Sequence, residues 1–286
     1  MKNFKYILSI VFLAVTIVSC SSDDGTPAAN NVTLAFHNTF QDTTIELGDA
    51  SSTSATENIS LEGQVHHFSE VKYVISNIVL VQTDGTEIPY HINNLDEGAT
   101  VVNVADASSL TYELTNIPSG EYAQLKFGLG VRNDLNVLDE VNNPTFYALA
   151  GANDTQMMWE WGTGYRFTKI EGFYGADDST LSIHTGSTVE GTEGDESTYT
   201  QGVDAYREIT LDLTTTAIVG SSAPTITIKA DFDNLLSGAT NTIILGDTNA
   251  TPSIHTAANM VLFVDNLGGN GTTDHQGMFS VENVQN

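Results

Sequence analysis

Apolar and polar positions alternate along most of the chain. Val32, Leu34 and Phe36 alternate with Thr33, Ala35 and His37, which predicts a half-buried first strand. Thr44 to Leu47 can pair with it. Val71 to Val81 is β-branched and apolar almost throughout, the composition of a central strand. Asp84-Gly85 then gives a tight hairpin turn, and Ile88 to Ile92 returns from it. Val101 to Val104, Tyr112 to Leu114 and Glu121 to Val131 continue the pattern, with Ala123, Leu125, Phe127 and Leu129 on one face of the last of these. Further strands are expected at Thr180 to Thr185, Arg207 to Leu213, Thr225 to Phe232, Thr242 to Leu245 and Met278 to Val284. Short helical turns suit Asn133 to Leu149, and a short helix suits Ala257 to Val264. Gly48 to Asn58 reads as a polar loop, and the acidic, Gly-rich Gly186 to Gly202 as a mobile one. Many short strands with almost no helical period predict an all-β fold. The expectation is a single antiparallel β-sandwich domain over about 31–286, with short helical turns and long loops.

The N-terminal segment departs from this pattern. Lys2 and Lys5 precede a mostly apolar run, Ile7 to Val18, of signal-peptide length. The run ends in Val18-Ser19-Cys20, a small residue before the chain's one cysteine. This reads as a lipoprotein signal peptide over 1–20, with Cys20 acylated as the first mature residue. Residues 21–30 read as a flexible tether. Its Ser21-Ser22-Asp23-Asp24-Gly25 resembles the export signal of surface lipoproteins, which places the protein at the outer membrane, periplasmic or surface-exposed.

Charge narrows the partners. The chain carries 36 acidic and 9 basic residues, a net charge of −27. Removing residues 1–20 takes away two lysines and no acid, so the mature chain is more negative still. Such a chain repels nucleic acid and anionic lipid surfaces. With no cysteine after Cys20 there can be no disulfide, iron–sulfur cluster, thiolate metal site or c-type haem attachment within the mature chain. No Gly-x-Ser-x-Gly elbow is present, and no carboxylate pair stands in a hydrolytic context, so the chain reads as a non-enzyme. The acidic clusters Asp231 to Asn234 and Glu190 to Glu196 lack the spacing of a calcium loop.

The candidate chemistry lies in Met157 to Gly172. Both tryptophans, Trp159 and Trp161, stand here beside Met157 and Met158, followed by Gly162-Thr163-Gly164 and the alternating Tyr165 and Phe167. Such a cluster is either a packing corner of a β-protein or a redox or metal site. Seven histidines could ligate a metal: His37, His66, His67, His91, His184, His255 and His275. Adjacent His66 and His67 point to opposite faces of a strand, so a single site takes at most one of them.

Three stretches together resemble a known family. They are Tyr73 to Ile78, then Phe127-Gly128-Leu129-Gly130-Val131 with Asn136 following, then Met158-Trp159-Glu160-Trp161-Gly162-Thr163-Gly164-Tyr165-Arg166-Phe167. In order and rough spacing they are similar to the MbnP-like family, itself similar to the copper-binding surface proteins CorA and MopE. The resemblance implies an exported β-sandwich that binds copper. It also implies a tryptophan oxidised to kynurenine by a dihaem partner, MbnH-like and related to bacterial cytochrome c peroxidases. The modified residue then falls on Trp159 or Trp161. His37 matches a histidine often seen at the first strand, and His184 in Ser182-Ile183-His184-Thr185-Gly186 resembles a strand-end Tyr-His-x-Gly, with Ile183 in place of the aromatic. Copper is expected on the modified residue together with His37, and with His184 or His66. Imidazole and soft sulfur suit copper, so Met157 or Met158 could assist Cu(I). The alternative reading is a cell-surface β-sandwich that binds glycans or another protein through exposed aromatics, its tryptophans being structural.

Overall fold

The computed structural model describes residues 30–49, 55–152, 155–159, 164–192, 195–246, 253–254, 257–269 and 277–286. The expected leader, Cys20, residues 21–29 of the tether, Trp161, His255 and His275 lie outside them. The strands in chain order are β1 (Val32–Phe40), β2 (Thr43–Thr44), β3 (Asn58–Ile59), β4 (Val65–Gln82), β5 (Glu87–Tyr90), β6 (Thr100–Asn103), β7 (Thr111–Leu114) and β8 (Gly120–Leu129). They continue as β9 (Thr168–Tyr174), β10 (Ser179–Thr185), β11 (Val189–Glu190), β12 (Thr200–Gln201), β13 (Arg207–Val219), β14 (Thr225–Asp231), β15 (Ser253–Ile254) and β16 (Phe279–Gln285). Helices are short: α1 (Leu95–Gly98), α2 (Pro144–Tyr147), running into a π-turn over Ala148–Ala152, and α3 (Ala257–Gly268). Strand takes 46% and helix 14%, so the protein is an all-β sandwich.

A five-stranded sheet in the order β16-β14-β1, with β2 and β7 on the far edge of β1, packs against a nine-stranded sheet built on β13-β8-β4-β9-β10-β15. Most pairs are antiparallel, but β1 pairs β14, and β10 pairs β15, in parallel. Neighbours joined through the opposite sheet need no hairpin, so direction is free to be either. Long β4 is the hub. β9 and β8 follow one another along one of its edges, and β3, β6 and β5 along the other.

The sandwich interior is aromatic. Phe36, Phe68, Tyr73, Phe127, Phe232 and Phe279 form a continuous run of ring contacts, closest between Phe127 and Phe279 at 5.1 Å. The one polar atom of the run, the Tyr73 hydroxyl, donates to Asn38 Oδ1 at 2.9 Å. Its desolvation is therefore offset by a hydrogen bond.

Several segments differ from the alternation reading. Thr242 to Leu245 forms no strand; Thr242 pairs with Ser237 in an isolated bridge. Gly186 to Gly202 holds a small two-stranded arm, β11 with β12, in place of a plain loop. Thr168–Tyr174, unassigned by the pattern, is a full strand between β4 and β10.

The chain leaves the sheet after β8 and returns before β9, and both ends bond the same residue. Gly130 N–H donates to Val74 O, and Val74 N–H donates to Phe167 O, each at 2.9 Å. Gly130 has φ +98°, and a Cβ there would lie 2.3 Å from the Phe167 ring, so only glycine fits this crossing. The excursion between these points carries α2, the π-turn and the Met157–Arg166 stretch. It folds over the outer face of the nine-stranded sheet. Asp96 in α1 accepts Phe146 N–H at 2.7 Å, and the Phe146 and Tyr165 rings meet edge-on at 5.0 Å.

Candidate functional site

Met157–Trp159 and Gly164–Arg166 run antiparallel as a small hairpin. Met158 pairs Tyr165, Trp159 N–H donates to Gly164 O at 3.1 Å, and Arg166 N–H donates to Met157 O at 2.9 Å. Met157 N–H reaches back to Ala150 O in the π-turn at 2.7 Å, which fixes the hairpin to the excursion. The connection at residues 160–163, with Trp161, lies outside the described residues. Asn136 Oδ1 accepts the Tyr165 N–H at 2.9 Å and packs on Gly164.

Beneath the hairpin the sheet presents two rows of polar side chains. Register places Lys72, Lys169 and His184 side by side across β4, β9 and β10, and Glu70, Glu171 and Ser182 in the next row. Residues of the alternate positions, Val71 and Ile170, face the sandwich core. The polar rows therefore point outward, to what an isolated sheet would expose as its solvent face. Here the hairpin covers them: Lys72, Lys169, Arg166 and His184 are all buried.

Their charges are met locally. Lys169 Nζ bonds both Glu70 oxygens at 2.8 and 2.9 Å and Gln156 Oε1 at 2.7 Å. Lys72 Nζ lies 2.5 Å from Glu70 Oε1 and donates to Thr155 O at 3.0 Å. Burial raises the Glu70 carboxyl, but the hydrogen bonds and charges of Lys169 and Lys72 outweigh it and hold the group below its usual range. His184 Nε2 donates to Glu171 Oε1 at 2.8 Å. Burial depresses the His184 pKa. The Glu171 bond pulls it back and the charges of Arg166 and Lys169 push it down further, so the imidazole is held neutral.

Trp159 lies over this assembly at 6% exposure. The Arg166 guanidinium stacks 5.2 Å from its ring centroid and donates through Nη1 to Gln156 O at 2.8 Å. Such a cation–π contact, partly desolvated, contributes about 1–2 kcal/mol. Gly186, two residues beyond His184, forms the floor: a Cβ there would lie 2.8 Å from Trp159 Nε1 and from Tyr165 O. Trp159 thus packs on Gly186, two residues beyond His184, and Arg166 both stacks on the Trp159 ring and acts on the His184 charge.

The other sequence candidates lie elsewhere. His37 is within β1 on the outer face of the five-stranded sheet, between Glu282 Oε2 at 2.9 Å and Thr44 Oγ1 at 2.8 Å. The sandwich core separates it from Trp159. His66 points into that core, stacked on Phe40 with Nε2 on Gln64 Oε1 at 3.1 Å. Met157 is buried, and the Met158 sulfur lies against Gly151. Among the described residues, no three His, Cys, Asp or Glu side chains are grouped as a metal site. His184, with Glu171 on Nε2, has the carboxylate-backed arrangement common to histidine ligands. The residues that pattern reading missed are Arg166, Lys169, Glu171 and Gly186. The one signal for them was the alternation of Lys169 and Glu171 with Ile170, which marks a strand with one polar face.

Comparison with known proteins agrees with this architecture. MbnP from Methylosinus trichosporium superposes with a TM-score of 0.54 at 15% identity, covering 88% of this chain and 97% of that one. No curated protein matches the sequence. The MbnP family model matches residues 29–256, a span that takes in the sandwich except β16, together with the hairpin. The chain belongs to the MbnP family.

Proposed function

We propose that this protein is a non-enzymatic, exported copper-binding lipoprotein whose copper site is completed when a tryptophan is oxidised to kynurenine by a dihaem, peroxidase-type partner. The observation that carries the reading is that Arg166 links Trp159 and His184 on one covered face: it stacks on the Trp159 ring and depresses the His184 imidazole electrostatically, while Trp159 packs on Gly186 two residues beyond His184. An indole is not a metal ligand, whereas kynurenine offers an aromatic amine and a ketone oxygen. Oxidation would therefore create a donor on the same covered face as an imidazole already held neutral and backed by Glu171. Sequence supports the need for a partner: beyond the acylated Cys20 the mature chain has no cysteine and cannot carry a c-type haem of its own. Its acidity favours encounter with a cationic surface. Anchoring through Cys20 at the outer membrane belongs to the same proposal.

Peptide mapping of protein purified from its native host tests the reading. Kynurenine is expected at Trp159 or Trp161, and only when the dihaem partner is present. Copper affinity of the modified protein should fall tenfold or more in His184→Ala, at least the 10–100-fold effect of losing a residue that merely supports a ligand. His37→Ala should leave it unchanged. Two intact tryptophans alongside an active partner would remove the basis of the proposal.

A further inference from the structure

A cleft of about 470 Å³ opens between residues 133–138 and the β11–β12 arm. The chain carries 36 acidic residues, yet the described residues lining the cleft bear no charge. The polar groups are amides and hydroxyls, such as Asn133, Asn136, Thr200 and Gln201, and the apolar ones include Val137 and Val189. Two of the amides are pre-oriented in opposite senses. Asn136 spends its Oδ1 on the Tyr165 N–H, so its amide N–H groups are the part left to offer. Asn133 spends its Nδ2 on Asp204 Oδ2 at 3.0 Å, so its carbonyl oxygen is the part left to offer.

From this we infer that the cleft binds a short neutral oligosaccharide. A sugar presents hydroxyls that both donate and accept, which suits paired amide donors and acceptors fixed in place. Its C–H faces suit Val137 and Val189. The volume is that of a small-ligand pocket. A charged peptide or polyanion finds no counter-charge in the lining. The lining also holds one aromatic, the half-buried Tyr199, whose ring offers a sugar a further C–H contact face.

The site adjoins the tryptophan hairpin. Asn136 holds the Tyr165 N–H, and Ser187 of the lining follows Gly186 on the Trp159 floor. Occupancy should therefore be read by tryptophan emission. The inference is independent of copper binding.

The test titrates the full mature chain with maltotriose, cellotriose, chitotriose and mannotriose, followed by tryptophan fluorescence and calorimetry, with trigalacturonate and an uncharged pentapeptide as controls. At least one neutral trisaccharide should bind saturably and shift the emission. Val137→Trp, at a position 55% exposed and outside the core, should weaken that binding at least tenfold with an unchanged melting temperature. Gln201→Ala should weaken it in the same way. The inference is overturned if no neutral trisaccharide binds at millimolar concentration. It is equally overturned if only a control binds, or if both variants bind as the wild type does.

Discussion

Mild acid should weaken the fold through His66. This imidazole is fully buried against Phe40. Burial lowers its pKa from 6.5 to about 4, its hydrogen bonds opposing the shift without reversing it and the neighbouring His67 adding to it. In the unfolded chain it titrates near 6.5. Below that pH the unfolded chain binds a proton that the folded chain refuses, so stability must fall as pH falls. The contribution is complete above about pH 6.5, declines by at most about 1.4 kcal/mol per pH unit, and is fully lost below about pH 4. The gap between the two pKa values corresponds to about 3 kcal/mol, a large share of the 5–15 kcal/mol typical of a folded domain.

Urea denaturation between about pH 7 and about pH 4.5 measures it, for wild type and His66→Gln. The chain's many carboxylates begin to titrate at the lower end, so the informative quantity is the difference between the two proteins. The stability gap between them should shift by about 2–3 kcal/mol across this range, because only the wild type loses the His66 contribution. Parallel pH profiles would refute the reasoning. Should His66→Gln not fold, an NMR titration of the wild-type ring serves instead: a midpoint near 6.5 refutes it as well.

Other consequences follow from the covered face. Gly186→Ala puts a methyl against the Tyr165 carbonyl and the Trp159 indole, so it should cost about 1–3 kcal/mol and shift tryptophan emission, read by melting and fluorescence. Lys169→Met removes the cation that bonds both Glu70 oxygens and should cost about 3 kcal/mol, with Glu70→Gln less than additive in a double-mutant cycle. Cys20→Ala should release the protein from the membrane fraction, as cell fractionation would show, and retention there would contradict the anchor.

Alternation made β1, β8 and β14 legible, because each has one apolar and one polar face, and β4 was legible as a nearly unbroken apolar run. It could not say which of His66 and His67 faces the core. Counting back in steps of two from Tyr73 and Val71 would turn His67 inward. The register shift between Phe68 and Glu70 inserts an extra residue, and this turns Phe68 and His66 inward instead. A bulge of one residue reverses every face beyond it, and nothing in the side chains around Ser69 announces it. The parallel pairing of β1 with β14 was equally hidden, since it joins residues as far apart as Thr33 and Thr225 and depends on how the two sheets close.

The polar rows beneath Trp159 were legible as a face but not as an interior. Lys169, Glu171 and His184 alternate with apolar neighbours as solvent-facing residues do. Their burial comes from a hairpin contributed by an excursion that begins and ends at Val74, a closure that no local pattern encodes. Three of the chain's nine Lys and Arg residues, Lys72, Lys169 and Arg166, are spent there. Buried ion pairs rarely stabilise more than well-packed apolar side chains of similar volume. A β-sandwich needing only a sealed face would reach the same stability with leucine and valine. The layer does what apolar packing cannot: it holds His184 neutral, aims it through Glu171, and fixes Trp159 from above through Arg166. Those are requirements of a site in which one imidazole and one aromatic ring must each be held in a defined orientation.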